Sequence, residues 1–148
     1  MSDPDPAELW REVLGWLRVA DNDRRVAQLC LDATPPAWEG AAYHCQQAAE
    51  KLLKGFLVRA DTDFGRTHDL DHLGYLVLLH FPAVHPLVEP LAAWTHWAVA
   101  YRYPDDSGPE PQPTLAELQT ALALIDELQA ALRALAPEPL AGEGNPTQ

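Results

Sequence analysis

The run Tyr43-His44-Cys45-Gln46-Gln47-Ala48-Ala49-Glu50-Lys51-Leu52-Leu53-Lys54, answered further on by His68-Asp69-Leu70, is the stretch on which the reading of the fold turns. On a helix it sorts into two unequal faces. Ala41, Cys45, Ala48, Ala49, Leu52 and Phe56 cover a broad apolar arc, while His44, Gln47, Glu50, Lys51 and Lys54 gather on a polar arc of roughly 120°. A helix that is apolar most of the way round belongs at the centre of its fold, and its concentrated polar stripe then needs a role.

Three roles are open. The stripe can be a solvated face, with Glu50 and Lys54 at i, i+4 in the favourable orientation, worth about 0.3–0.5 kcal/mol when exposed. It can be a subunit interface in which Gln and Lys hydrogen-bond a partner chain. It can be a site, because two lysines, an imidazole and an amide are able to grip a phosphate and a base edge. The last two are compatible, since clefts at interfaces commonly hold ligands.

Outward from this run, the chain reads as helices separated by proline. A length of 148 residues with 47% apolar content suits one domain with a single core, expected over residues 7–136 with flexible tails at 1–6 and 137–148. The fourteen prolines fall mostly between periodic segments and act as punctuation. The first helix is expected from about Ala7 to Asp32, with Trp10, Val13, Leu14, Leu17, Ala20 and Leu31 inward. Thr34-Pro35-Pro36 then starts the second, with Thr34 as N-cap and Pro35 in the first turn, and that helix reaches Arg59 or Ala60. After a polar turn, Thr67 or Asp69 caps a third helix over about 69–80, ended by Phe81-Pro82. A fourth, aromatic helix is expected over about 86–101, with Pro86 and Pro90 near its first turn. Residues 104–113 read as an exposed loop. Thr114-Leu115-Ala116-Glu117 is a capping box opening the fifth helix, whose Leu115, Leu118, Leu122, Ile125, Leu128, Leu132 and Leu135 form an apolar stripe. The expected class is all-α, an up-and-down bundle of four to five helices.

Composition narrows function. The net charge of −12 comes from 22 acidic against 10 basic residues, and no basic stripe of useful length exists. Sequence-specific DNA binding, which draws its affinity from Lys and Arg on phosphates, is therefore excluded from the expectations. A local pocket for one nucleotide or a short RNA, or a basic protein partner, is compatible with this charge. Met1-Ser2-Asp3-Pro4-Asp5 is acidic where a signal peptide needs cations, and no apolar run reaches the roughly 20 residues a membrane span requires. A cytoplasmic protein without membrane association is expected. Cys30 and Cys45 lack metal-ligand spacing and read as reduced core residues.

The run Gln46-Gln47-Ala48-Ala49-Glu50-Lys51-x-x-Lys54 with His44 before it, followed by Thr67-His68-Asp69-Leu70 and later by Tyr101-Arg102-Tyr103-Pro104, resembles the HEPN (higher eukaryotes and prokaryotes nucleotide-binding) domain over about residues 8–135. The resemblance implies a helical bundle, usually homodimeric, often partnered with a small nucleotidyltransferase in a two-component, toxin–antitoxin-like module. Some such domains are metal-independent ribonucleases using Arg-x(4–6)-His. Arg102 stands where that arginine is expected, but the three permitted histidine positions hold Ser107, Gly108 and Pro109. Arg66 to His72 matches the spacing formally, at the entrance to the third helix and away from the family's catalytic location.

The candidate ligand residues are therefore His44, Gln47, Lys51, Lys54, His68, Asp69, Tyr101 and Arg102. Lys51, Lys54, Gln47 and Arg102 would hold phosphates and base, with His44 and His68 lining the same cleft. No catalytic residue, cofactor or metal is assigned. His68 and His72 are at i, i+4, a spacing that can place two ligands on one metal, but no third ligand follows. Three functions remain: a homodimeric domain binding a nucleotide or a nucleotidyltransferase partner, a ribonuclease toxin, or a pure dimerisation and interaction module.

Overall fold

The computed structural model describes residues 2–97 and 113–138. It is all-α, and no strand occurs among the described residues. Helix α1 spans Pro6–Asp32, α2 Trp38–Arg59, α3 Leu70–His80, α4 the single turn His85–Val88, and α5 Leu115–Arg133. Helix α1 begins inside the segment expected as a tail, because Asp5 accepts from Ala7 N at 3.0 Å and Pro6 needs no N–H partner in the first turn.

Helices α1 and α2 form an antiparallel hairpin. The end of α1 meets the start of α2, where a Cβ on Gly40 would lie 3.0 Å from Cys30 Sγ. At the other end a Cβ on Gly55 would lie 3.4 Å from Trp16 Cβ and 2.7 Å from Leu132 Cδ2. Absence of a side chain at Gly55 is thus what lets α1 and α5 close together on α2. Helix α5 runs parallel to α2 and antiparallel to α1. Its Leu132 faces Gly55, Arg59 Nε donates to Leu135 O at 2.7 Å, and Arg24 of α1 grips Asp126 through two bonds of 3.0 Å.

Helix α2 is central. Of its 22 residues 15 are buried, including Gln46, Glu50 and Lys54. Its apolar arc meets Val13, Leu17, Ala20 and Ala27 from α1, Leu73 and Val77 from α3, and Leu118, Ile125, Leu128 and Leu132 from α5 in one core. Trp94 and Trp97 stack at 5.2 Å between centroids on its edge. Cys30 and Cys45 are free thiols, Cys45 buried and Cys30 half-buried.

Several boundaries differ from expectation. Helix α2 starts at Trp38, after Ala37, with no side-chain cap. The prolines at 35 and 36 carry no N–H, so the turn is closed instead by Ala37 N donating to Cys30 O at 2.8 Å. Thr34 is left exposed in a bend and caps nothing. Within the described residues the aromatic helix expected over 86–101 is not continuous: after a 3-10 turn at Pro82–Val84, the turn α4 gives way to a 3-10 segment Glu89–Trp94. Pro90 cannot donate to residue 86 and its ring crowds that carbonyl, so the α-helical ladder stops there. The continuation from residue 98, including the loop expected over 104–113 up to residue 112, lies outside the described residues. Leu14 and Leu115, expected inward, are exposed.

The end of α2 aims the next segment. Asp61 adopts a left-handed φ of 52°, with Asp61 N on Val58 O and Thr62 N on Leu57 O, both at 2.9 Å. This is a Schellman ending built on Asp rather than Gly. It turns the chain back along α2, where Thr62 Oγ1 meets His80 Nε2 at 2.9 Å.

The capping box of α5 is formed as expected: Glu117 N donates to Thr114 Oγ1 at 3.1 Å and Thr114 N to Glu117 Oε1 at 3.4 Å. Thr114→Ala is expected to lower unfolding free energy by about 1 kcal/mol, as a shift of the urea midpoint with unchanged slope.

Candidate functional site

The polar stripe of α2 folds into two clusters with different surroundings. The first is built on Glu50, whose side chain is 1% exposed. Its Oε2 lies 3.2 Å from Lys54 Nζ and 3.2 Å from His68 Nδ1, and Oε1 is 3.3 Å from the same ring nitrogen. Lys54 is 8% exposed, and its ammonium sits 5.8 Å from the Trp16 ring and 5.7 Å from the Phe64 ring. These two rings meet edge to face at 6.1 Å. The ammonium is therefore enclosed by a carboxylate and two aromatic groups, which satisfy it by charge and by the ring quadrupoles.

This departs from a solvated i, i+4 pair. The Schellman turn carries Phe64 and His68 back over α2, and Trp16 covers it from α1. The same Glu–Lys spacing thus changes from a weak surface pair to a buried one. His68 itself is 78% exposed, so it lies across the mouth of the cluster with one nitrogen directed inward. Asp69 has a local role: it is the N-cap of α3, accepting from Asp71 N at 3.0 Å and His72 N at 3.4 Å.

The second cluster lies further toward the start of α2 and is partly open. Asp23 of α1 reaches across the hairpin, with Oδ1 3.0 Å from His44 Nδ1 and Oδ2 3.3 Å from Lys51 Nζ. Gln47 Oε1 accepts from Lys51 at 3.4 Å, and Gln47 Nε2 donates to the buried Gln46 at 2.7 Å. A carboxylate only accepts, so Nδ1 of His44 carries the proton in this bond and Nε2 is the ring nitrogen left free of it. Side-chain exposures of 15% for Asp23, 25% for His44 and 23% for Lys51 leave the cluster within reach of a ligand.

Of the residues singled out from sequence, the structure brings His44, Gln47 and Lys51 together in the open cluster. Lys54 and His68 share the closed one, and Asp69 sits at the neighbouring helix end. Tyr101 and Arg102 lie outside the described residues. Sequence reasoning missed Asp23, Trp16 and Phe64. A signal for Asp23 existed: it stands three residues after Ala20 and four before Ala27, both buried, so an acid falls beside the inward stripe of α1. Trp16 follows Val13 by three in the same way. Phe64 gave no signal, because its position depends on the turn before it.

Among the described residues, no group of three or more His, Cys, Asp or Glu is placed to hold a metal ion, and no helix is long and apolar enough to cross a membrane.

Glu50→Ala is expected to destabilise the chain by about 3–5 kcal/mol, because it leaves Lys54 buried without its counter-charge. Urea unfolding measures this, and a loss below 1 kcal/mol would show that Lys54 escapes to solvent. The thiols give a second expectation. Burial pushes the Cys45 thiol up to about 12 from an ordinary 9.0, so at pH 8 it should resist Ellman's reagent until the chain is unfolded. Since folding holds this proton, the associated stability is intact below about pH 9 and is lost as pH rises toward 12. Cys45→Ala should flatten that alkaline fall in urea midpoint.

No curated protein and no solved structure matches the chain. A family model described as the HEPN domain matches residues 13–135, a span that holds most of α1, all of α2 to α5, and both polar clusters. That match covers most of the sequence, its helical architecture agrees with the fold, and the chain belongs to the HEPN domain family.

Proposed function

We propose that this HEPN domain binds a nucleotide at the open cluster of α2, with Lys51 on a phosphate and His44 and Gln47 on adjoining phosphate or base atoms. The observation that carries the reading is the contrast within one helix. Lys54 is enclosed, whereas Lys51, His44 and Gln47 converge at a partly exposed point with an ammonium, an imidazole and an amide. Lys54 and His68 stand one turn further along the same helix face, on Glu50, and Tyr101 and Arg102 remain candidates for completing the site. The domain would work in the cytoplasm, as a homodimer or beside a nucleotidyltransferase partner in a two-component module. Its strongly acidic charge favours a basic partner over a polyanion.

A second reading, that the domain acts mainly by protein contact, is supported by Tyr75 and Leu79. They lie one helical turn apart on α3 and are 62% and 61% exposed. It differs from the first in needing no nucleotide.

Calorimetry with a panel of nucleoside mono-, di- and triphosphates separates the two. Binding that weakens at least about tenfold, or 1.4 kcal/mol, in Lys51→Ala with the fold intact is the expected result. No heat of binding at millimolar ligand would overturn the nucleotide reading and leave the contact reading.

A further inference from the structure

We infer that the carboxylate of Asp23 occupies the place a phosphate group takes on the open face of α2, and that the two donors it occupies select terminal phosphate monoesters over internal diesters by charge. The inference rests on the reading of that face as a nucleotide site and assigns it a further residue and a ligand class.

Asp23 lies in the body of α1, where aspartate is a poor helix former and has no helix end to cap. Its side chain leaves α1 and places one oxygen on His44 Nδ1 and the other on Lys51 Nζ, at 3.0 and 3.3 Å. Two oxygens of one anion, each on a separate nitrogen donor, is an arrangement that the oxygens of a phosphate reproduce. The adjacent cation does not compete for Asp23, because Arg24 is held by Asp126 through both its Nε and an Nη. All three members of the cluster are partly open to solvent. One anion can thus be exchanged for another without opening the core. The enclosed Glu50–Lys54 pair does not allow this.

Displacement lowers the affinity of every anion, and charge sets the selectivity. A carboxylate held on the same chain competes at high effective concentration. Against that common handicap, the group with more charge on these two donors binds more tightly. A phosphate monoester carries about −1.5 to −2 at pH 7, whereas a diester carries about −1 and only matches the carboxylate. The net charge of −12 adds a field that further disfavours a polyanionic strand.

The test is calorimetry with AMP and with 3′,5′-cyclic AMP, a monoester and a diester of one nucleoside. The wild-type chain should bind AMP at least about tenfold more tightly than the cyclic form. Asp23→Asn should tighten both, by a similar factor, because the competing carboxylate handicaps each ligand alike. Wild-type binding of AMP that is unchanged or weakened by Asp23→Asn overturns the inference and leaves the nucleotide site standing. No binding of AMP by either protein overturns the nucleotide reading and the inference with it. Should Asp23→Asn fail to fold, the His44 imidazole nitrogen resonances of the wild-type chain decide. They should shift on saturation with AMP as the partner of Nδ1 changes, and AMP binding that leaves them unmoved overturns the inference.

Discussion

Glu50 is a carboxylate taken out of water on the central helix, and the arrangement around it is organised by the need to satisfy that charge. An isolated buried carboxylate costs several kcal/mol, so it persists only with close partners. Lys54, one turn along, supplies the counter-charge and is then itself buried. Its ammonium needs enclosure in turn, which Trp16 brings from α1 and Phe64 from the segment after α2. His68 completes the carboxylate's partners from the entrance to α3. One buried charge thus ties together two helices, a returning turn and the start of a third helix. Displacing any of these exposes or strands the others, so the interaction specifies the register of α1 on α2 as well as the path of residues 61–69.

The same helix shows how burial separates two lysines of equal chemistry. Lys54 and Lys51 are three residues apart and each meets a carboxylate at just over 3 Å. Around Lys54 the carboxylate lies on the same helix and aromatic rings exclude solvent. Around Lys51 the carboxylate comes from the opposite helix, and the neighbours are an imidazole and an amide with solvent access. The first environment suits a structural clamp. The second keeps donors and acceptors available, and for this reason the proposed ligand site is placed there.

Much of this was legible beforehand where the deciding interactions are local. The capping box at Thr114 was readable because both its bonds lie within three residues. The apolar arcs of α2 and α5 were readable because the helical period fixes which side chains share a face. Legibility failed where distant groups decide. Pro86 does sit in a first turn, but Pro90 ends the α-helical ladder one turn later and a 3-10 segment follows. Thr34 had the chemistry of a cap, yet the bond closing that turn runs from Ala37 to Cys30. The candidate site was half visible: His44, Gln47 and Lys51 share an arc of one helix, whereas Asp23 reaches them from 21 residues away in sequence.

By itself the sequence determined an all-α class, the order of its main helices, the central place of α2 and the HEPN motif, since periodicity, capping and composition act over a few residues. Only the tertiary structure decided that the polar stripe is two environments rather than one. Whether a charged side chain is solvated, clamped or open depends on what the rest of the chain lays over it. Here that was settled by Trp16, Phe64 and Asp23, none of which lies on the helix that bears the stripe.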